Sequence, residues 1–384
     1  MTEKLYDFDS YLTEFTATVV SCKKCDGGFC TVLNKTAFFP EEGGQCCDTG
    51  TLNDAAVLKV ILESDGTVTH ITDHEISGEV IGKIDFKKRF RNMQNHTGEH
   101  ILSGLFYKHF GFNNVGFHLG SEEITMDISG FLNAEQLKEI EEEANAIVFK
   151  NVPIKAYYPT KEELNNMFYR SKGGIDGDVR IVKIGEYDVC ACCAPHVNYT
   201  GEVGLIKIVD FYKNKNFLRL QIKCGFDALY DYQMKHNSAK TISADLKSPI
   251  SEISQAVKDM QKANKDLSFT VGKLKREAVL QMAENTPFKN GNLCVFASGT
   301  DRESLRILAN TLKEKCNGIC AVLSENEQGF AVVIASNTAD LNKNAPKIFS
   351  ALNGVGGGSK SMFFGTLNKT EAEITEYINN FIAL

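Results

Sequence analysis

The sequence predicts an α+β multidomain protein in four consecutive parts. These are a small N-terminal β-barrel over residues 1–90, an α+β domain over 91–225, a helical coiled-coil segment over 226–287 and a C-terminal α/β domain over 288–384. Three observations carry this reading. Short β-branched and apolar runs follow one another closely up to residue 90, as in small barrels and sandwiches. A 3-4 apolar repeat runs on from Ile250, as in coiled coils. Elsewhere, strand-like and helix-like apolar periods alternate, which is the pattern of layered α and β structure.

In the first part, Phe15–Val20 and Cys30–Leu33 read as strands punctuated by Asp26-Gly-Gly. Thr36–Gln45 reads as a strand ending in a glycine-rich loop. Asp48–Leu52, Leu58–Leu62 and Val68–Thr72 follow as further strands. In the second part, residues 92–111 form a helix closed by Gly111, and strands are expected at 116–120 and 123–128. Ala134–Val148 is a helix with Leu137, Ile140, Ala144 and Val148 on its apolar face. Ile154–Tyr158 is a strand and 161–167 a short helix, and strands around 179–184, 203–209 and 218–222 complete the unit. Ser248-Pro249 supplies an N-cap with proline at the first helical position. From there Ile250, Ile253, Val257, Met260, Asn264, Leu267, Val271, Leu274, Ala278 and Gln281 keep 3-4 spacing, with Asn264 the polar register residue. The seam either pairs with a second copy of the chain or folds back on 226–246. The last part alternates strands at 293–297, 319–323 and 330–335 with helices at 301–316, 342–353 and 370–382. Gly354–Ser361 is one residue short of a phosphate-cradling loop, because Ser359 stands where its last glycine belongs. It reads as a backbone-amide anion site or a flexible loop.

A hydrophobic content of 43% and a charged content of 24% are those of a soluble globular chain. No apolar run approaches a membrane span. The acidic Met1–Ser10, lacking an apolar stretch, is no signal peptide. With no secretion signal, the twelve cysteines are expected to be reduced cytoplasmic thiols, some of them metal ligands. A net charge of −7 argues against wholesale electrostatic binding of nucleic acid. It leaves a local patch, Lys83, Lys87, Lys88, Arg89 and Arg91, whose plainer reading is a solvated face.

The chemistry centres on two pairs. His96 and His100 share one face of the predicted helix at i and i+4, about 6 Å apart along its axis. Cys192 and His196 bring a thiolate and a third imidazole with the same three-residue gap. One cysteine and three histidines suit a single zinc ion, which favours tetrahedral nitrogen and sulfur ligands. His70 and His74 have the same spacing in a β-rich context, where about 13 Å would separate them, and they are rejected as a pair. Cys22, Cys25 and Cys30 form half of a zinc ribbon with no second half, a poor candidate for a second metal.

Taken together, the chain resembles the freestanding alanyl-tRNA editing proteins, relatives of the editing half of alanyl-tRNA synthetase, in a long form with a DHH-associated C-terminal domain. Thr36–Gln45 through Asp48-Thr-Gly50 is similar to the family's Phe-Tyr-Pro-Glu-Gly-Gly-Gly-Gln loop, with Glu42 in place of a glycine. His96-Thr-Gly-Glu-His100 matches its first zinc pair. Cys192-Cys-Ala-Pro-His196 matches Cys-Gly-Gly-Thr-His in spacing but not in its middle residues. Asn198–Gly204 matches the segment that follows, and Gly356-Gly-Gly-Ser-Lys360 resembles the glycine motif of the C-terminal domain. His118 stands where the family often has glutamine.

The resemblance implies that residues 91–225 are a zinc-binding editing domain and 288–384 the DHH-associated domain. It implies hydrolysis, in the cytoplasm, of the ester in tRNA(Ala) mischarged with serine or glycine. One zinc is expected on His96, His100, Cys192 and His196, either shaping the pocket or carrying the attacking water. Thr97, His118 and Gln45 are expected around the aminoacyl ester, or else in support of the ligands. Gly43, Gly44, Arg89, Gly356, Gly357, Gly358 and Lys360 are the expected tRNA contacts. The synthetase's aminoacylation domain is missing, so the chain is expected to remove an amino acid and not to attach one. A homodimer through 248–281 or the C-terminal domain is one of the alternatives the seam leaves open. Two rival readings remain: an inverted-motif (His-x-x-Glu-His) zinc peptidase with Glu99 as general base, and a non-catalytic, zinc-stabilised RNA-binding protein.

Overall fold

The computed structural model describes residues 2–121, 123–171, 178–327 and 329–382. They form two compact units, Met1–Lys240 and Thr241–Leu384.

The first unit begins with β1 (Glu3–Lys4), β2 (Glu14–Cys25), β3 (Gly28–Leu33), β4 (Lys35–Thr36), β5 (Gly50–Leu52), β6 (Ala55–Leu62), β7 (Val68–Thr72) and β8 (Glu79–Ile84). Six of these close a barrel in the order β2-β3-β7-β6-β5-β8. Its interior holds the inward half of each alternating strand, including Phe15, Ala17, Leu33, Val57, Val60, Val68 and Val80. β1 pairs in parallel with β4 and so ties the N-terminus to the barrel. Residues 37–47, expected to begin as a strand, make no ladder beyond the isolated bridges Glu42–Gln45 and Gln45–Leu119. Ala37, Phe38 and Phe39 are instead buried as an extended plug.

Next comes α1 (Phe86–Phe110), which starts six residues before the expected position because Asp85 caps it, accepting from the Lys88 N–H at 3.2 Å. Gly111 ends it with φ 67°, a left-handed cap. β9 (Asn114–Leu119), β10 (Ile124–Ile128), α2 (Ala134–Phe149), β11 (Ile154–Tyr157), α3 (Lys161–Asn166), β12 (Ile181–Ile184), β13 (Asp188–Ala191), β14 (Ile206–Lys213), β15 (Leu218–Cys224) and α4 (Phe226–Leu246) follow. They make one sheet of order β14-β15-β10-β9 and another of order β11-β12-β13. Leu102, Leu105 and Phe106 of α1 share a core with Leu137, Ile140 and Ala144 of α2 and with the apolar side of these strands.

The hairpin of β2 and β3 corrects the expectation for the cysteines: Cys25 and Cys30 are disulfide-bonded. Residues 22 and 25, three apart on a strand, point to opposite faces. Cys22 is hydrogen-bonded to Thr31 instead, so these three do not form a second metal site.

In the second unit α5 (Ile253–Asn285) leads to β16 (Leu293–Phe296), α6 (Arg302–Leu312), β17 (Cys320–Asn326), β18 (Gly329–Ala335), α7 (Leu341–Ala351), β19 (Val355–Ser359), β20 (Met362–Leu367) and α8 (Glu371–Asn380). The sheet order is β16-β17-β18-β20-β19. Along β17, Ala321 and Leu323 face the core of α7 and α8, while Cys320 and Val322 face that of α6 and α5.

Two expectations change in this unit. Ser248-Pro249 does not cap α5, which starts at Ile253 after a short 3-10 turn and has no side-chain cap. On α5 the buried residues are Val279 and Ala283, off the expected seam, while Met260, Leu267, Val271 and Leu274 are exposed. The glycine segment also changes character, since Gly356–Gly358 lie in edge strand β19 rather than in a loop. A Cβ on Gly356 would stand 2.4 Å from the Phe349 ring and 2.5 Å from the Phe364 carbonyl oxygen, so glycine lets the strand lie flat on its neighbours. Among the described residues no helix is long and apolar enough to cross a membrane.

Candidate metal centre and its cavity

α1 is unusual in what it buries. Asn92, Gln94, Asn95, His96, Thr97, Glu99, His100 and Ser103 are all buried, and polar groups do this only when partnered. Gly98 and Gly104 allow the close packing this needs. A Cβ on Gly98 would fall 2.3 Å from the Cys224 sulfur, and one on Gly104 2.4 Å from the Tyr187 carbonyl oxygen. The turn before β13 and the end of β15 therefore lie close against α1.

Cys192 Sγ lies 3.6 Å from His96 Nε2 and 3.4 Å from His196 Nε2. The donor atoms of His96, His100, Cys192 and His196 are all within 4.8 Å of one another, so this quartet could hold a metal ion. Each imidazole is held from behind by its other nitrogen. His96 Nδ1 meets Gln45 Oε1 at 2.9 Å, His196 Nδ1 meets Thr97 Oγ1 at 2.9 Å, and His100 Nδ1 meets Asp188 Oδ2 at 3.0 Å. With Nδ1 so engaged, Nε2 is the nitrogen left to ligate. Gln45 and Thr97 thus stand behind the rings as supports.

The charges on Cys192 and His196 suit ligation, whereas at His100 burial is outweighed by Cys190, Asp188 and Cys192, which hold that ring well above its ordinary value. Burial opposes ionisation of Cys192, but the neighbouring His96 and His196 outweigh it and hold the thiol well below its ordinary value. Burial pushes His196 down to about 3. A thiolate beside a neutral imidazole is the ligating form of both residues. Burial would also raise Asp188, yet the hydrogen bonds from His100 and Arg170 keep its carboxyl below the usual range. Arg170 grips Asp188 with two bonds of 2.7 and 2.8 Å. His100, Asp188 and Cys190 form a second group of converging donors, but the Arg170 guanidinium already supplies the cation there.

The quartet opens onto a cavity of about 430 Å³ whose lining includes Glu42, Gly43, His96, Glu99, His100, Phe117, Arg180, Cys192 and Cys193. Arg180 fixes the ligand loop by donating to the Cys192 and Ala194 carbonyls at 3.0 and 2.9 Å.

Other expected site residues lie elsewhere. His118 is exposed and does not line the cavity, because strand alternation turns the neighbouring Phe117 toward His96, 5.0 Å between rings. Arg89 is no tRNA contact. It is fully buried, paired with Asp48 and donating to the Ala37 and Ser10 carbonyls. Arg91 is spent on Asp227 and the Gly120 and Ser121 carbonyls. Gly43 lines the cavity, whereas Gly44 serves packing: its carbonyl accepts from Leu119 at 2.8 Å, and a Cβ would sit 2.3 Å from the Phe117 oxygen. Lys360 is exposed in the turn after β19. Sequence reasoning missed Asp188, Arg170 and Arg180, and also the N-terminal wall of Tyr6 and Asp7. No motif marks any of them.

The arc carrying Arg180, Asp188, Cys192 and His196 is also the stretch that is similar to a described family. Residues 179–220 match the family described as the threonyl and alanyl tRNA synthetase second additional domain. Across nearly its whole length the chain resembles the freestanding alanyl-tRNA editing proteins. It is 28% identical to alanyl-tRNA editing protein Aarsd1 of Rattus norvegicus, over 98% of this chain and 97% of the relative. It is also 28% identical to alanyl-tRNA editing protein AlaX-L of Pyrococcus horikoshii, over 97% and 96%. Alanine–tRNA ligase of Ignicoccus hospitalis is 26% identical over the whole of this chain but only 43% of its own length.

Proposed function

We propose that the protein is a trans-editing hydrolase that deacylates tRNA(Ala) mischarged with serine or glycine, using one zinc ion on His96, His100, Cys192 and His196. The observation that carries this is the convergence of three imidazoles, each anchored at Nδ1, with a single thiolate on a cavity wall. The donor set suits zinc in its chemistry and its dimensions. Bonds of about 2.0 Å to nitrogen and 2.3 Å to sulfur give a tetrahedral N···S edge of roughly 3.5 Å, beside the 3.6 and 3.4 Å found. When bound, zinc would supply Lewis acidity and fixed positive charge next to the ester. Gln45, Thr97 and Asp188 hold the three rings, and Arg180 holds the loop carrying Cys192.

The parts 1–90, 91–225, 226–287 and 288–384 divide the labour in this reading. The cavity takes the aminoacyl end, while Lys87, Lys88, the β19 edge at Gly356–Gly358 and Lys360 meet the tRNA. The exposed Met260, Leu267 and Leu274 support a homodimer through the 248–281 seam. Against the peptidase reading, the His96–His100 pair is completed by Cys192 and His196 rather than by a glutamate. Glu99 is engaged by Ser103 and Asn114, and a Glu99→Gln protein is expected to keep deacylating.

The test is deacylation of Ser-, Gly- and Ala-tRNA(Ala) side by side, with zinc measured on the same sample. We expect the first two to be cleared and the third spared. Full activity toward Ser-tRNA(Ala) in a His96→Ala/His100→Ala protein would overturn the reading.

A further inference from the structure

The cavity runs beyond the metal quartet to a wall that the mechanism above does not use. Lys4, Tyr6 and Asp7, brought there by the pairing of β1 with β4, line it together with Glu42, Tyr158 and Cys193. Tyr6 is 1% exposed, packs edge-on against Phe39 at 5.3 Å, and its hydroxyl has no hydrogen-bond partner. A buried hydroxyl left unpaired costs free energy until something completes it. Burial, and then the charges of Asp7, Glu42 and Cys193, hold that phenol in its protonated form.

The charges on this wall are not equivalent. Asp7 accepts from Tyr158 at 2.9 Å and has Lys4 and Arg180 as neighbouring cations. Glu99 is satisfied by Ser103 and Asn114, and Asp178 is exposed. Glu42 makes no salt bridge among the described residues; its neighbour is the Cys193 thiol. A Cβ on Gly43 would lie 3.7 Å from that sulfur. Glu42 and Cys193 are two positions where this sequence departs from the editing-protein pattern, and the fold brings them to the same wall, one residue along from Cys192.

We propose that Glu42 and the Tyr6 hydroxyl form a subsite for the α-ammonium group of the aminoacyl ester. This inference rests on the editing reading and deepens it. An ammonium offers three donors and needs acceptors. The Glu42 carboxylate, which makes no salt bridge among the described residues and has the Cys193 thiol beside it, and the phenol oxygen provide them, in a cavity that His96, His100 and Cys192 also line. N-acylated ends, which lack that charge, are then poor ligands.

Four proteins test this: wild type, Glu42→Gln, Glu42→Gly and Tyr6→Phe, each assayed on Ser-tRNA(Ala) and N-acetyl-Ser-tRNA(Ala) with zinc content checked. Wild type should prefer the free amine by about tenfold or more in kcat/KM, the scale of a charge-assisted hydrogen bond. Glu42→Gln and Glu42→Gly should erase most of that preference by slowing only the free-amine substrate, and Tyr6→Phe should do so to a lesser extent. Equal slowing of both substrates, or of neither, overturns the subsite. Wild type that hydrolyses neither ester sinks the editing reading instead. Calorimetry with 3′-serylamino-3′-deoxyadenosine and its N-acetyl form then still decides the subsite: weaker binding of the N-acetyl form, abolished in Glu42→Gln, supports it, and equal affinities overturn it.

Discussion

His70 with His74, and His96 with His100, are the same pattern in the sequence, two histidines four residues apart. The first pair sits on β7 and just beyond its end, the second on the interior of α1. On the helix the two rings come to 5.3 Å and share a third, His196, at 4.9 and 4.7 Å. In the barrel His70 is buried against Thr36 and the Thr31 carbonyl, whereas His74 is half exposed beside Asp54 and Asp73. Spacing acquires chemical meaning only through the period of the element that carries it. The environment then settles whether a buried imidazole is a ligand or a core residue.

The sharpest way to break this contrast is at the quartet. Cys192→Ala should remove bound zinc and lower Ser-tRNA(Ala) deacylation by at least about two orders of magnitude, because binding and site order are coupled. Metal analysis and single-turnover kinetics on one preparation check this. Asp188→Ala comes next. It frees the His100 ring and strands Arg170, whose side chain is only 10% exposed. An uncompensated buried charge costs about 3–5 kcal/mol, and loss of a ligand's hydrogen-bonded support about 10–100-fold in metal affinity. Urea titration and competition with a chelator read the two effects separately. An Asp188→Ala protein that held zinc as tightly as wild type would remove Asp188 from the site.

The two pairs also mark what could be read from the sequence. Helical period placed His96 and His100 on one face, and strand period separated His70 from His74. The four donors singled out by spacing meet in space. The barrel was legible from its runs of short strands. The ring supports were not: Asp188 reaches His100 from 88 positions away, and Gln45 reaches His96 from 51. Only the packing of α1 on the sheets creates such contacts. Arg89 misled because it follows two lysines, Lys87 and Lys88, while the Asp48 partner that buries it lies 41 residues off. The α5 seam named apolar positions correctly as a stripe, yet the residues buried against α6 are Val279 and Ala283, which local periodicity could not choose. The Cys25–Cys30 bond escaped a rule based on compartment, since a hairpin brings any two such residues together.

His70 gives a smaller effect and a pH signature. Burial lowers its pKa from the ordinary 6.5 to about 4. Above pH 6.5 the ring is neutral in both states, and its burial carries no protonation cost. As pH falls from about 6.5 to about 4 the unfolded chain takes up a proton that the folded barrel refuses, and stability drops. The full loss is about 3 kcal/mol. Denaturation midpoints at pH 7 and pH 4.5 should therefore diverge more for wild type than for His70→Gln. Equal divergence would mean that the barrel admits the charged ring.

His74 should matter least, and for a reason the other three histidines make plain. Its Nδ1 is 2.8 Å from Asp73 and its Nε2 3.4 Å from Asp54, so on paper it is as well connected as His100. Its side chain is 45% exposed, however, and Asp54 is 86% exposed. Water already solvates both partners, so each pair exchanges one favourable interaction for another. Exposed pairs of this kind contribute less than about 1 kcal/mol, often nothing measurable. His74→Ala should leave zinc content and deacylation unchanged and shift the urea midpoint by no more than about 0.5 kcal/mol in stability. A loss of metal in that variant would show that the second pair also reaches the site, and the distinction between helix and strand spacing would fail.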